Sequence, residues 1–148
     1  IKGGIQMKIW LITGCSSGLG RGIAEAALKR GENVAATARN VEKIEELAKK
    51  YPSQTLLLGL DLNDRESMRS AVECTKKVFG GIDVLVNNHD QPGDPMKGGE
   101  VIVDTILSGK MPFRLLLGSD AAQTEQTVLK DRLLEAEKWM DISRRSDY

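Results

Sequence analysis

The residues whose chemistry is easiest to specify lie in a glycine-rich turn at positions 14–20 (GCSSGLG). The turn follows a short apolar run at 8–13 and precedes residues 21–30, which place small and apolar side chains at helical spacing. At the start of a helix the first backbone amides have no intrahelical partner, and the helix dipole adds positive potential there. Such a turn is suited to hold a phosphate or a diphosphate.

Each glycine in this turn has a separate expected role. Gly14 permits the tight bend, Gly18 lets phosphates approach the backbone, and Gly20 lets the helix pack closely on the strand. Ser16 and Ser17 add hydroxyl donors. The alternative is a purely structural turn, but a strand before the glycines and a helix after them favour a binding role.

The rest of the first half alternates short apolar runs with helical periodicity. We expect strands at 8–13, 34–38, 55–60 and 82–86, with helices at 21–30, 41–50 and 64–79. Repeated strand–helix alternation predicts an α/β fold, with a doubly wound parallel sheet and right-handed crossovers.

Three motifs then identify a resemblance. The spacing Thr13-Gly14-x-x-x-Gly18-x-Gly20, with Asp61-Leu62 after the third run and Asn87-Asn88 after the fourth, resembles the short-chain dehydrogenase/reductase family over residues 7–88. The resemblance implies a Rossmann-type sheet of order 3-2-1-4, with Asp61 and Leu62 supporting an adenine ring and Asn87 stabilising the central strand. The cofactor-binding residues we expect are Thr13, Gly14, Ser16, Ser17, Gly18, Leu19, Gly20, Arg39, Asp61, Leu62 and Asn87.

Arg39 bears on the choice of cofactor. It follows the second strand, where an acidic residue would accept hydrogen bonds from the free 2′-hydroxyl of NAD. A guanidinium instead suits the 2′-phosphate of NADP, with Arg21 or Asn40 in support. NADP is therefore expected over NAD, and a solvated surface arginine is the alternative.

No catalytic residues are expected, because the family's Tyr-x-x-x-Lys pair is missing. Thr55 stands four residues after Tyr51, and Tyr148 ends the sequence. After Asn87-Asn88 the family has Ala-Gly, whereas this chain has His89-Asp90. His89 is either a substitute acid or base or an exposed loop residue.

The second half resembles the carboxy-terminal end of many such reductases, in the runs at 94–97 and 112–120. We expect a helix at 100–107, a strand at 113–117 and a helix at about 120–140. If the family's middle segment is truly deleted, the strand at 113–117 is expected beside strand four. The core face of that last helix is expected to contain Val128, Leu129, Leu133, Ala136 and Trp139. Residues 91–148 would then form the family's carboxy-terminal segment, with its catalytic middle absent.

Three interpretations of that absence remain open. The sequence omits a segment of a longer NADP-dependent reductase acting on a carbonyl or alcohol, or it is a non-catalytic dinucleotide-binding module, or it is an oligomerising remnant. In the last two cases the uncovered sheet predicts association between copies.

Composition limits the other partners. Lys+Arg and Asp+Glu are both 21, so no broad positive field favours nucleic acid or a membrane surface. Cys15 and Cys74 are read as free thiols of a cytoplasmic protein, with no metal site. We expect residues 7–148 to form one dinucleotide-binding domain that is a homo-oligomer, with 1–6 as a vector remnant or flexible extension.

Overall fold

The computed structural model describes residues 7–87, 94–112 and 115–146. The predictions for residues 1–6, for Asn88 and for His89 and Asp90 lie outside the described residues. The chain divides into two compact units, Ile1–Met111 and Pro112–Tyr148, and the single domain expected over 7–148 stays a prediction.

The first unit contains a parallel sheet in the order β3-β2-β1-β4, which confirms the predicted α/β architecture and strand order. Its strands are β1 (Ile9–Ile12), β2 (Asn33–Ala38), β3 (Thr55–Gly59) and β4 (Val84–Val86). In the register, Leu11 lies opposite Ala35 on β2 and opposite Leu85 on β4. All four strands run in the same direction, so their carboxyl ends meet at one edge of the sheet.

Helices α1 (Gly18–Lys29), α2 (Glu45–Lys50), α3 (Arg65–Phe79) and α4 (Pro95–Leu107) complete this unit. A turn of 3₁₀ helix, Val41–Ile44, precedes α2. The helix α3 begins at the capping residue Asp64, whose carboxylate accepts a hydrogen bond from the amide of Glu66. It ends at Gly80, which has a left-handed φ of 94°.

The core fills the space between the sheet and α1, with α4 packed on α1. Trp10, Ile12, Ala24 and Ala27 are fully buried there, and Val103 of α4 joins them. Aliphatic side chains at helical spacing on α1 and on every second strand residue account for this arrangement.

Helix α4 is longer than the sequence predicts, because it begins at Pro95 rather than at residue 100. The carboxylate of Asp94 accepts hydrogen bonds from the amides of Met96 and Lys97, and Pro95 suits the first helical position. The two glycines at 98–99 lie inside the helix, where Gly99 approaches Gly22 of α1. They therefore allow the close contact of α4 with α1.

The strand expected at 113–117 is not formed by its described part, since Leu115–Leu117 have no strand structure. Phe113 and Arg114 lie outside the described residues. A strand requires ladder hydrogen bonds to a neighbour, and among the described residues β4 pairs with β1 alone. Leu85 of β4 remains 66% exposed.

The second unit contains α5 (Ser119–Ser143) and a short 3₁₀ turn, Arg144–Ser146. The core face predicted for this helix is wrong, because Leu129, Leu133 and Trp139 are at least half exposed. Helical periodicity identifies an apolar stripe but cannot tell which surface, if any, covers it. Over the described ranges, none of the helices combines the length and the apolar content needed to cross a bilayer.

Candidate functional site

The glycine turn connects the carboxyl end of β1 to the amino terminus of α1, as the sequence predicts. Gly14 and Gly18 have left-handed φ values of 67° and 61°, which glycine adopts without strain. A methyl group built on either one would meet no heavy atom within 4 Å, so the space beside both is open. Helix α1 begins at Gly18, and the side chain of the capping residue Ser17 makes no capping hydrogen bond. The first amides of α1 have no intrahelical partner, and the Ser17 side chain does not supply one.

Gly20 has the packing role expected of it. A Cβ at this position would lie 2.6 Å from the carbonyl oxygen of Gly14 and 2.7 Å from that of Thr13. These are backbone atoms that cannot rotate away. A side chain here would therefore move α1 off the turn.

Hydrogen bonds fix the turn to the neighbouring strands. The amide of Thr13 donates to the carbonyl of Val86 at 2.9 Å, and its hydroxyl contacts Asn87 Oδ1 at 3.2 Å. On the other side the amide of Cys15 donates to the carbonyl of Thr37 at 2.8 Å. The turn after β1 is thus tied to the carboxyl-terminal parts of β2 and β4, and Asn87 contacts Thr13 at its start.

Cys15 lies beneath the turn and is fully buried. Burial raises the pKa of its thiol above the ordinary value of 9.0 to about 12, against the opposing effects of the Thr37 backbone and the Arg21 charge. The thiol is protonated at neutral pH and donates to the carbonyl of Ile12 at 3.3 Å. It supports the turn and is not a nucleophile.

A cleft of about 270 Å³ opens beside the turn at the carboxyl ends of β1, β2 and β3. Its walls include six of the residues predicted to bind the cofactor, namely Thr13, Gly14, Ser16, Arg39, Asp61 and Leu62. Clefts for drug-sized ligands measure roughly 300–1,000 Å³, so this one suits part of a dinucleotide.

The sequence-based prediction omitted three residues of the cleft wall: Ala38, Leu60 and Asn63. Each lies at the end of a strand or within the turn that follows it. The signal was their adjacency to Arg39 and to Asp61-Leu62, because the end of a parallel strand brings its flanking residues to the same edge.

The loop after β3 is shaped by Asp61. Its carboxylate accepts a hydrogen bond from the amide of Asn63 at 3.0 Å, and its own amide donates to Ser67 Oγ at 3.0 Å. This turn holds Asp61 and Leu62 at the cleft.

Of the three residues considered for 2′-phosphate recognition, Arg39 alone lines the cleft. Arg21 bridges Glu25 at 2.7 Å and Glu46 of α2. Partial burial lowers the pKa of Arg21, but its hydrogen bonds to the two glutamates outweigh that effect and raise it. The side chain of Asn40 accepts from the amide of Glu42 and caps the 3₁₀ turn.

A comparison with known families decides the classification. The sequence profile of the short chain dehydrogenase family matches residues 8–95, more than half of the 148 residues. This chain belongs to that family.

Individual short-chain dehydrogenases are similar to parts of this chain. Oxidoreductase BOA17 of Botryotinia fuckeliana is 45% identical over 82 residues, which are 55% of this chain and 30% of that protein. The crystal structure of L-sorbose reductase from Gluconobacter frateurii, complexed with NADPH and L-sorbose, is 35% identical. It covers 64% of this chain and 37% of that one, with a TM-score of 0.53.

A short-chain dehydrogenase structure from Streptomyces avermitilis matches 97% of this chain and all of its own, with a TM-score of 0.71 and 21% identity. That likeness concerns the fold. The chain spans about a third of the length of BOA17 and of L-sorbose reductase.

The short-chain dehydrogenase fold explains why the site is built at strand ends. Ser17, Gly18, Leu19 and Gly20 form the amino terminus of α1, the remaining expected residues line the cleft, and Asn87 contacts Thr13. Contact of any of them with a nucleotide stays a prediction. His89, the candidate substitute acid or base, lies outside the described residues.

Proposed function

We propose that this chain binds NADP(H), with the diphosphate at the amino terminus of α1 and the adenosine half in the cleft. One observation carries the proposal. Gly14 lines the same cleft as Arg39 and Asp61, and α1 begins four residues later at Gly18, with open space beside both glycines and no side-chain cap. Amides and a helix dipole directed at open space stabilise an anion without a side-chain cation.

The preference for NADP over NAD rests on Arg39. Arg39 is exposed at the cleft. Among the described residues that line the cleft, Asp61 is the one acidic residue. A planar guanidinium offers two parallel hydrogen bonds to a phosphate, which the free hydroxyl of NAD does not match. The NADPH complex of L-sorbose reductase supports this choice by similarity.

Hydride transfer between NADP(H) and a small carbonyl or alcohol is the activity we propose for a longer polypeptide that contains this chain. The nicotinamide supplies the hydride when bound, and the protein supplies orientation and a proton. The residues of this chain hold and orient the cofactor, since the sequence contains no Tyr-x-x-x-Lys. A dinucleotide-binding module without catalysis is the second candidate, favoured by that same absence.

We propose a cytoplasmic location and self-association as further properties. Cys15 and Cys74 are both free thiols, which suits a reducing compartment. Several large apolar side chains are exposed on β4 and α5, which suits contact between copies.

Titration of the purified chain with NADPH and NADH tests the cofactor proposal. We expect saturable binding of NADPH, followed by its fluorescence and by thermal stabilisation. The variant Arg39→Ala should weaken NADPH binding by about 10- to 100-fold, which corresponds to a charged hydrogen-bond pair of roughly 1.5–3 kcal/mol, and should change NADH binding far less.

The matched control is Arg69→Ala, which removes an exposed arginine on α3 that pairs with Glu66. It should leave both affinities unchanged. Equal loss of NADPH binding in the two arginine variants would assign the effect to overall charge, and no binding by the unaltered chain would refute the proposal.

A further inference from the structure

Helix α5 has several large apolar side chains that are exposed. Leu129, Leu133 and Met140 are 53%, 60% and 43% exposed. The helix has 25 residues, which corresponds to a length of about 37 Å. Exposed apolar residues along a helix of this length mark an interaction surface.

Their spacing defines the surface. Ala122, Gln126, Leu129, Leu133, Ala136 and Met140 follow one another at alternating intervals of four and three residues. We call these six residues the seam. An alternating interval of four and three keeps side chains on one stripe of a helix and is the heptad pattern of a coiled coil.

The residues that flank the seam carry complementary charges. Heptad position g is occupied by Glu125 and Arg132, and position e by Lys130 and Glu137. In a parallel pair of helices, a g residue meets the e residue five positions further along the other helix. Glu125 then meets Lys130 of the second copy and Arg132 meets Glu137 of the second copy, so both contacts join opposite charges.

The one polar member of the seam fits the same arrangement. Gln126 is exposed, and in a parallel pair in register its amide would face the identical amide of the second copy. A side-chain amide both donates and accepts, so two of them satisfy each other, whereas a register shifted by one heptad would place one against Leu133. A single polar residue at such a position specifies the register of a coiled coil.

We infer that α5 is the self-association surface of this chain, and that its seam packs against the seam of a second copy, parallel and in register. The inference names the surface for the self-association proposed above and does not depend on cofactor binding. The helix buries its leucines in the pair and keeps its charges at the rim, where they select the orientation.

Sedimentation equilibrium of the full chain tests the inference with two neighbouring leucines. We expect a concentration-dependent mass that rises from 16.2 kDa toward twice that value. Leu133→Lys, in the seam, should weaken association by at least about tenfold, because a charge enters the apolar layer. Leu134→Lys changes a residue that is 63% exposed but outside the seam, and should leave association unchanged.

Charge reversal provides an independent readout. Arg132→Glu alone would oppose two carboxylates and should weaken association, as should Glu137→Arg alone. The double variant Arg132→Glu with Glu137→Arg restores opposite charges and should recover association. Both positions are exposed, so circular dichroism of the three variants should match the unaltered chain.

The orientation is tested with Ala122→Cys. In a parallel pair in register the two new thiols face each other and should form a disulfide-linked dimer under mild oxidation, to a greater extent than the unaltered chain with its half-buried Cys74. A monomer at every concentration would refute both this inference and the self-association proposal. Association that survives Leu133→Lys but is lost in Leu85→Lys would assign the contact to the exposed strand β4 and refute this inference alone.

Discussion

At Gly20 the absence of a methyl group determines how closely the first helix approaches the first strand. We expect Gly20→Ala to lower the free energy of unfolding by about 1–3 kcal/mol, because the added carbon would press on two backbone carbonyls of the turn. Urea unfolding followed by circular dichroism measures the change.

Gly81→Ala is the matched control for Gly20→Ala. A Cβ at Gly81 meets nothing within 4 Å, and its φ is not in the left-handed region. The free energy of unfolding of Gly81→Ala should stay within about 0.5 kcal/mol of that of the unaltered chain. Equal unfolding midpoints for the two variants would contradict the packing role of Gly20.

Cys15 makes the free energy of unfolding depend on pH in the alkaline range. Because burial raises the pKa of its thiol to about 12, the folded chain keeps a proton that the unfolded chain releases above about pH 9. The stabilisation of the folded chain by the protonated thiol is therefore complete below pH 9 and is lost as the pH rises toward 12. Relative to Cys15→Ala, the unaltered chain should lose about 1 kcal/mol between pH 8 and pH 10.

The measurement is the difference in unfolding free energy between the two proteins at both pH values. Taking the difference removes the titration of lysines and tyrosines that both proteins share. A difference that stays constant from pH 8 to pH 10 would show that the thiol ionises as readily in the folded chain as in the unfolded one.

At the scale of elements, the contact of α1 with α4 depends on glycine. A Cβ on Gly22 would lie 2.7 Å from the carbonyl carbon of Pro95, and one on Gly99 would lie 2.6 Å from the Gly22 carbonyl oxygen. An ion pair between Arg30 and Asp104, at 2.7 Å, closes the other end of the contact. The two backbones approach because neither helix has a side chain at the crossing.

Gly22→Ala should therefore separate α4 from α1. We expect a loss of about 1–3 kcal/mol in stability and faster hydrogen exchange over residues 95–107. Gly98→Ala is the comparison, since its Cβ would meet only the flexible Leu19 side chain, at 3.0 Å. Undiminished protection of α4 in Gly22→Ala would show that the helix is held elsewhere.

At the scale of the whole molecule, binding and catalysis are separable. We expect a polypeptide of these 148 residues to bind NADPH but not to oxidise it with a panel of carbonyl compounds, because it contains no Tyr-x-x-x-Lys. NADPH absorbance over time, in a preparation whose mass is confirmed as 16.2 kDa, measures this. Substrate-dependent loss of NADPH would show that another group supplies the proton.

Much of the first unit followed from sequence because its signals are local. Apolar runs of strand length, helical spacing and the glycines at 14–20 act over a few residues, so the strands and the strand-to-helix turn were predictable. The strand order came instead from the resemblance of three motifs to a known family. The cleft followed in part, because Arg39 and Asp61 adjoin strand ends that a parallel sheet brings together.

Contacts between residues far apart in sequence were decided by the tertiary structure alone. The sequence predicted a helix from residue 100, whereas the glycines at 98–99 lie inside α4, where Gly99 approaches Gly22. Arg21 was expected to support phosphate binding, but its guanidinium pairs with Glu46. The same holds for α5, whose apolar stripe was evident from sequence but whose exposure was not. Periodicity specifies which residues share a face, and only the folded chain determines what that face meets.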